Sequence, residues 1–281
     1  MKVCRTIAEI RAALAPVHLS GRSVGFVPTM GYLHAGHLSL VERARAENEA
    51  TVVSIFVNPT QFGPEEDFAR YPRDEPRDLA LCDEAGVNFV FTPDAAEMYP
   101  PGFQTYVDVT GLSQGLCGAS RPGHFRGVAT VVAKLFAIVQ PRRAYFGEKD
   151  AQQLRVIRRL AQDLNLPVTV VPVPIIREPD GLAMSSRNVY LSAEERRAAL
   201  VLYRSLLVAR DLVRSGEQNA AVVAEAMRAL IAAESLARLD YLAIVDDETL
   251  APVERIDRPT LIALAVFIGR TRLIDNVLVN P

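Results

Sequence analysis

The sequence predicts an α/β protein, a Rossmann-like doubly wound parallel sheet followed by a smaller α+β domain, on three observations. Short β-branched or aromatic runs alternate with helical patterns through residue 173. The strand-like runs are apolar almost throughout, as strands buried on both faces of a parallel sheet are. Past residue 175 the alternation stops, and two helical patterns are followed by three strand-like runs.

Taken in order, "MKVCRTIAEIRAALAPVHLS" is interrupted by Arg5, Glu9 and Arg11, so it reads as an amphipathic helix and not as a signal peptide. "VGFVP" (24–28) is the first strand, a helix starts near 36, "TVVSIFV" (51–57) is a strand, a helix covers about 74–85, and "VNFVF" (87–91) is a strand. "TYVDVT" (105–110) reads as a further strand, then a helix over 126–139, "AYFG" (144–147), a helix over 149–165 and "VTVVPV" (168–173). The Pro-punctuated "VPVPIIREPDG" (171–181) ends the pattern, so the expected domains are 1–175 and 176–281. Helices near 192–215 and 218–234 and strands near 240–245, 260–268 and 273–279 build the second domain.

Composition narrows the function. Lys plus Arg (31) nearly balance Asp plus Glu (33), which leaves no field to gather nucleic acid. Cys4, Cys82 and Cys117 are odd in number, widely spaced and without a C-x-x-C, which argues against a disulfide framework or zinc knuckle and for a reducing compartment, the cytoplasm. The longest apolar run, "LIALAVFI" (261–268), falls well short of the roughly 20 residues of a membrane helix, so no membrane is expected as partner.

Two of only four histidines, His34 and His37, lie in "PTMGYLHAGH", where the first strand turns into the first helix. In an open α/β sheet that junction faces the ligand crevice, and two imidazoles three positions apart can donate to one oxyanion. Taken alone, the pair fits a structural role better than a functional one. A metal pair lacks a third ligand at a telling interval, and the glycines at 25, 31 and 36 do not make a dinucleotide fingerprint. Two further segments tip the balance: Lys149 follows a strand in "FGEKDAQQL", and Ser185, Ser186 and Arg187 stand together in "EPDGLAMSSRNVYLS". A mobile cation and a loop of two hydroxyls and a guanidinium suit phosphates, and with the histidines they describe a triphosphate site.

"H-A-G-H" after a first strand with "M-S-S-R" in a later loop resembles the H-x-G-H and K-M-S-K-S pair of the nucleotidyltransferase superfamily. More closely, "PTMGYLHAGHLSL" (28–40), "SIFVNPTQFGPEEDFARYPRD" (54–74), "RPGHFRGVATVVAKLF" (121–136), "YFGEKDAQQL" (145–154) and "MSSRNVYLS" (184–192) are similar to the pantoate–β-alanine ligase family, and the resemblance runs on to "LIDNVLV" (273–279). It implies an ATP-dependent ligase of the coenzyme A pathway that makes pantothenate from pantoate and β-alanine. Pantoate carboxylate attacks the α-phosphorus of ATP, giving pantoyl adenylate and pyrophosphate, and β-alanine then displaces AMP. Mg2+ is implied with the triphosphate, and a homodimer as the assembly; the resemblance does not fix the magnesium ligands, for which phosphates, water, Asp78 and Asp150 are the candidates.

By the same resemblance, Met30, Gly31, Tyr32, Leu33, His34, Ala35, Gly36 and His37 line the nucleotide, with Gly147, Glu148, Lys149, Asp150, Ile176, Met184, Ser185, Ser186 and Arg187 on its other side. His37, His34, Lys149 and Arg187 are the expected catalytic residues, and His37 is given a proton-donor role that the chemistry does not require, since a carboxylate nucleophile has no proton to lose. Gln61, Gln153 and Asn58 are the expected pantoate and β-alanine residues, with Arg121 and His124 on a nearby loop. The second domain is expected to close over the nucleotide. One departure stands out: "AMSSR" keeps a single cation where the superfamily motif has two lysines, which leaves Lys149 to supply the missing charge. A non-catalytic ATP-binding module and an aminoacyl-tRNA synthetase-like enzyme are the competing functions, the second disfavoured by the near-neutral charge.

Overall fold

A computed structural model describes residues 1–280. Contacts divide it into two compact units, one of Met1–Thr110, Arg121–Glu148 and Gln153–Pro174, the other of Gly111–Ser120, Lys149–Gln152 and the chain from Ile175 onward. The elements run β1 (Lys2–Cys4), α1 (Ile7–Leu19), β2 (Val24–Thr29), α2 (Ala35–Glu47), β3 (Ala50–Ile55), α3 (Glu75–Glu84), β4 (Phe89–Phe91), α4 (Ala95–Met98), α5 (Leu116–Ser120), α6 (His124–Val139), β5 (Arg143–Gly147), α7 (Ala151–Asp163) and β6 (Thr169–Val173). They continue with α8 (Ala193–Ala198), α9 (Leu200–Arg214), α10 (Ala220–Ala232), β7 (Ala237–Asp246), β8 (Thr260–Ile268) and β9 (Thr271–Val279).

The first unit is a six-stranded, wholly parallel sheet in the order β1-β4-β3-β2-β5-β6. Strand alternation sends Val27, Val53, Val90 and Tyr145 to one face, where they pack with Leu40, Val41 and Ala44 of α2 and Cys82 of α3. Phe26 and Phe146 point to the other face, each edge-on to Phe136 of α6. Helices on both faces make the sheet doubly wound, as the apolar strand runs require. The chain leaves β2 toward β3 on one side, while β5 lies on the other, so the carboxyl ends of β2 and β5 flank the topological switch point.

Local chemistry sets the element ends. Thr6 and Glu9 form a reciprocal capping box on α1, and Asp74 caps α3, which carries a proline in its first turn. Three sequence expectations need correction. The N-terminal segment is not one helix, because Lys2–Cys4 forms the edge strand β1 against β4, a piece too short to show a period. Residues 105–110 form no strand: they join no ladder, and Val107 donates its N–H to Thr130 Oγ1 of α6 instead. The helix expected over 192–215 is two helices, broken at Ala199.

In the second unit β7, β8 and β9 form an antiparallel sheet in that order. One face, with Ile262, Leu264, Val266, Leu273 and Val279, packs on α9 and α10 through Leu202, Leu206, Val223 and Met227. The other, with Val245, Leu261 and Ala263, receives Ala151, Leu112 and Leu116 from the segments 149–152 and 111–120.

Candidate active site

At the end of β2 the chain makes a tight turn held by side chains. Thr29 Oγ1 accepts the Gly31 N–H at 3.1 Å and donates to the Ser54 carbonyl at 2.8 Å. Gly31 and Tyr32 both take left-handed backbone, at φ +80° and +52°. The N–H groups of Tyr32 and Leu33 converge there on one anion site. The chain's own carboxylate fills it: Asp78 of α3, 1% exposed, accepts from Tyr32 N at 2.6 Å and Leu33 N at 2.7 Å, one on each oxygen. Arg77 flanks it, donating to the Leu33 carbonyl at 2.9 Å with its guanidinium 5.2 Å from the Tyr32 ring. Burial pushes the Asp78 pKa above the ordinary carboxyl value, and the Leu33 and Tyr32 N–H groups and Arg77 reverse only part of that rise.

That turn delivers the histidines. His34 is the N-cap of α2, its Nδ1 accepting the Gly36 N–H at 3.1 Å, while His37 Nδ1 accepts the His34 N–H at 3.3 Å. The ring centroids are 4.1 Å apart. Because each Nδ1 is an acceptor, each neutral ring carries its proton on Nε2, and the pair forms two Nε2–H donors beside a helix N-terminus. The histidine spacing was legible in sequence, whereas the tautomer was not.

The predicted pantoate residues of this unit form a second group. Asn58 is almost fully buried, and its amide is saturated: Nδ2 donates to Gln61 Oε1 at 3.0 Å and the Gly127 carbonyl at 3.2 Å, while Oδ1 accepts from Thr60 Oγ1 at 2.9 Å and Tyr99 Oη at 2.8 Å. Gln61 Nε2 lies 3.2 Å from Met30 Sδ, which ties this group to the histidine turn. The Gln61 carbonyl accepts from His124 Nδ1 at 2.9 Å and Arg121 Nη2 at 3.3 Å. Arg121 also donates to His124 Nε2 at 3.0 Å and forms a two-point pair with Glu66 at 2.6 and 2.7 Å. Burial would raise the Glu66 pKa, yet the Arg121 hydrogen bonds and charge hold it below the usual range. Gln153, on α7, is half-buried, whereas its neighbour Gln152 is a buried anchor that donates to the Leu112 and Gly115 carbonyls. Gly147 and Glu148 complete the first unit's share, at the end of β5.

Gly127 lets α6 approach the turn at Pro59–Gln61, and a Cβ there would overlap the Thr60 carbonyl. Gly127→Ala is expected to cost about 1–3 kcal/mol of stability and to shift Gln61. Thermal melts and the KM for pantoate check this; a variant with normal values for both refutes it.

Lys149, Asp150, Ile176 and Met184–Arg187 belong to the second unit. Lys149 Nζ stands 3.5 Å from Asp150 Oδ2. Residues 176–184 form a hairpin in which Met184 N returns to the Ile176 carbonyl at 3.0 Å and Glu178 N to Leu182 O at 2.8 Å. Ser185 caps the 3-10 turn Ser186–Tyr190, its Oγ accepting the Arg187 N–H at 3.3 Å, and Ser186 is buried. Among the described residues no three His, Cys, Asp or Glu side chains cluster as a metal site. Both Asp78 oxygens accept backbone N–H groups, which gives Asp78 a structural role inside the turn.

The chain thus combines a doubly wound parallel sheet with an H-x-G-H turn at its switch point, the place where open α/β sheets bind their ligands. The chain belongs to the pantoate–β-alanine ligase family, whose model matches residues 2–278. That family's reaction is the ATP-dependent joining of pantoate to β-alanine. The pantothenate synthetase of Roseiflexus castenholzii is 60% identical over 280 residues, covering 100% of both chains. The crystal structure of pantothenate synthetase from Thermus thermophilus superposes with a TM-score of 0.96 at 55% identity, covering 100% of each chain. The Francisella tularensis pantoate-beta-alanine ligase, crystallised with beta-gamma ATP and beta-alanine, gives a TM-score of 0.82 at 33% identity, covering 99% of this chain and 97% of its own.

Proposed function

We propose that this chain runs the ligation in two steps on the residues above. Pantoate carboxylate attacks the α-phosphorus of ATP and expels pyrophosphate, and the amine of β-alanine then attacks the acyl carbon, loses a proton and expels AMP. Both partners in the first step are anions, so the site's work is positioning and charge neutralisation. The observation that carries this reading is the pair of backbone N–H bonds to the two Nδ1 atoms, which puts the proton of each neutral ring on Nε2.

In this reading His34 and His37 donate to phosphate oxygens, Met30–His37 and Gly147–Asp150 line the nucleotide, and Ile176 meets the adenine. Lys149 neutralises phosphate, and Ser185, Ser186 and Arg187 bind the departing pyrophosphate. Gln61 and Gln153 take the pantoate hydroxyls and carboxylate. Asn58, with its amide saturated within the fold, acts through Gln61. Mg2+ accompanies ATP as counter-ion, held mainly by phosphates and water, with Asp150 as the candidate acidic side chain. The reading includes a homodimer, which light scattering tests, and a cytoplasmic location, which suits three unpaired cysteines; no described helix is long and apolar enough to cross a membrane.

The test is exchange of labelled pyrophosphate into ATP with pantoate present and β-alanine absent. Pantoate-dependent exchange is the expected result and separates a ligase from a passive ATP binder. Full amide synthesis without exchange would point to a concerted route, and no activity in either assay would remove the ligase reading.

A further inference from the structure

Strand β9 carries two buried polar residues side by side, Asp275 at 2% exposure and Asn276 at 7%. Neighbours on a strand point to opposite faces, and each makes a bond to a distant segment of the second unit. On the helix-packed face, in the row that holds Leu273 and Val279, Asp275 pairs with Arg177 at two points, Nη1 to Oδ2 at 2.6 Å and Nη2 to Oδ1 at 2.9 Å. Arg177 Nη1 also donates to the Gly181 carbonyl at 3.1 Å, and the guanidinium lies 4.2 Å from the Tyr203 ring of α9. Arg177 therefore locks the hairpin that releases the chain at Met184. On the opposite face Asn276 Nδ2 donates to the Lys149 carbonyl at 2.9 Å. Asp275 Oδ1 further accepts the Asn276 N–H at 2.8 Å, so the two anchors are linked.

A buried ion pair in an apolar row contributes little net stability compared with a packed aliphatic pair, so stability alone does not account for Asp275. Both bonds end on segments that the proposed site uses. We infer that Asp275 and Asn276 are positioning residues for phosphate binding: Asn276 fixes the backbone from which Lys149 extends, and Asp275, through Arg177, fixes the segment Met184–Arg187. One strand thereby gives the cation and the hydroxyl–guanidinium loop a common reference. A long flexible ammonium benefits most from a fixed Cα, because its own stem sets little geometry. This inference rests on the reading of Lys149 and Met184–Arg187 as phosphate ligands.

A double-mutant cycle tests it. Asn276→Ala, Lys149→Ala and the double variant are compared by pyrophosphate exchange, as kcat/KM for ATP at saturating pantoate. Asn276→Ala is expected to lose about tenfold, with the KM for pantoate unchanged, and to lose less than about twofold in the Lys149→Ala background. Asp275→Asn paired with Arg187→Ala should show the same non-additivity. Should Asn276→Ala fold poorly by thermal melt, Asn276→Ser carries the cycle. Equal losses in both backgrounds, or a wild-type rate for Asn276→Ala, overturn the inference while leaving the site intact. A wild-type rate for Lys149→Ala removes the underlying phosphate reading, and the inference falls with it.

Discussion

Glutamine in place of His37 is expected to retain most of the pyrophosphate-exchange rate that alanine loses. His37→Ala should slow exchange about 10²–10³-fold, the usual loss for a donor aimed at developing charge. In the folded chain the His37 Nδ1 is occupied by the His34 N–H, so the atom that can serve a ligand is Nε2–H. A glutamine amide reaches nearly the same point and donates there, but it cannot give up a proton at neutral pH. It also forfeits the Nδ1 acceptor, which should cost about 1 kcal/mol at this helix start and leave His37→Gln within about tenfold of the unmodified enzyme. Were proton transfer from the imidazole essential, glutamine and alanine would be equally slow. The comparison thus decides between the two roles, and it does so with both variants holding the same fold, which circular dichroism and thermal melts verify.

Why the sequence disclosed this pair and not its supports follows from where the information lies. Apolar strands, helix starts and the first β–α turn are local patterns, so the sheet, its two helical layers and the histidine turn were all legible. The strands of the second unit were legible for the same reason, since residues 261–268 of β8 are an unbroken apolar run. Supports at long sequence separation were not. Asp78 lies 45 and 46 residues from the N–H groups it binds, and in sequence it is one acidic residue among several on a polar helix. Asn276 meets Lys149 across 127 residues. The His124 and Arg121 bonds to the Gln61 carbonyl join a loop to a backbone atom, which no side-chain pattern encodes. Burial offered one usable hint: polar residues interrupting apolar strands, such as Asp275 and Asn276 in "LIDNVLV", need partners. Residues 105–110 mislead for the converse reason, because their β-branched pattern matches a segment bonded to α6 as well as it matches a strand.

Asp78→Asn should separate rate from stability. An asparagine of the same shape accepts one of the two turn N–H groups through its oxygen, but its NH2 faces the other and repels it, so Tyr32 or Leu33 must shift. The histidines follow in the next residues, and a displacement of about 1 Å at such a site costs on the order of 10² in rate. Stability responds differently. Burial raises the Asp78 pKa, so the folded chain holds that proton more tightly than the unfolded chain does. Ionised Asp78 therefore lowers stability at neutral pH, a deficit that shrinks as pH falls toward the ordinary carboxyl value. Asparagine removes this deficit while losing one hydrogen bond, and the two changes oppose each other. The expected result is an exchange rate down by about 10² with a melting temperature nearly unchanged. The pH profile adds an independent mark: exchange by the unmodified chain should decline on the acid side at a pH above that of an ordinary carboxyl, as Asp78 takes a proton and loses an acceptor. In Asp78→Asn that decline should be absent. A large fall in melting temperature that accounts for the lost rate would reduce Asp78 to a fold-holding residue. A normal rate would mean that the left-handed pair Gly31–Tyr32 shapes the histidine turn unaided.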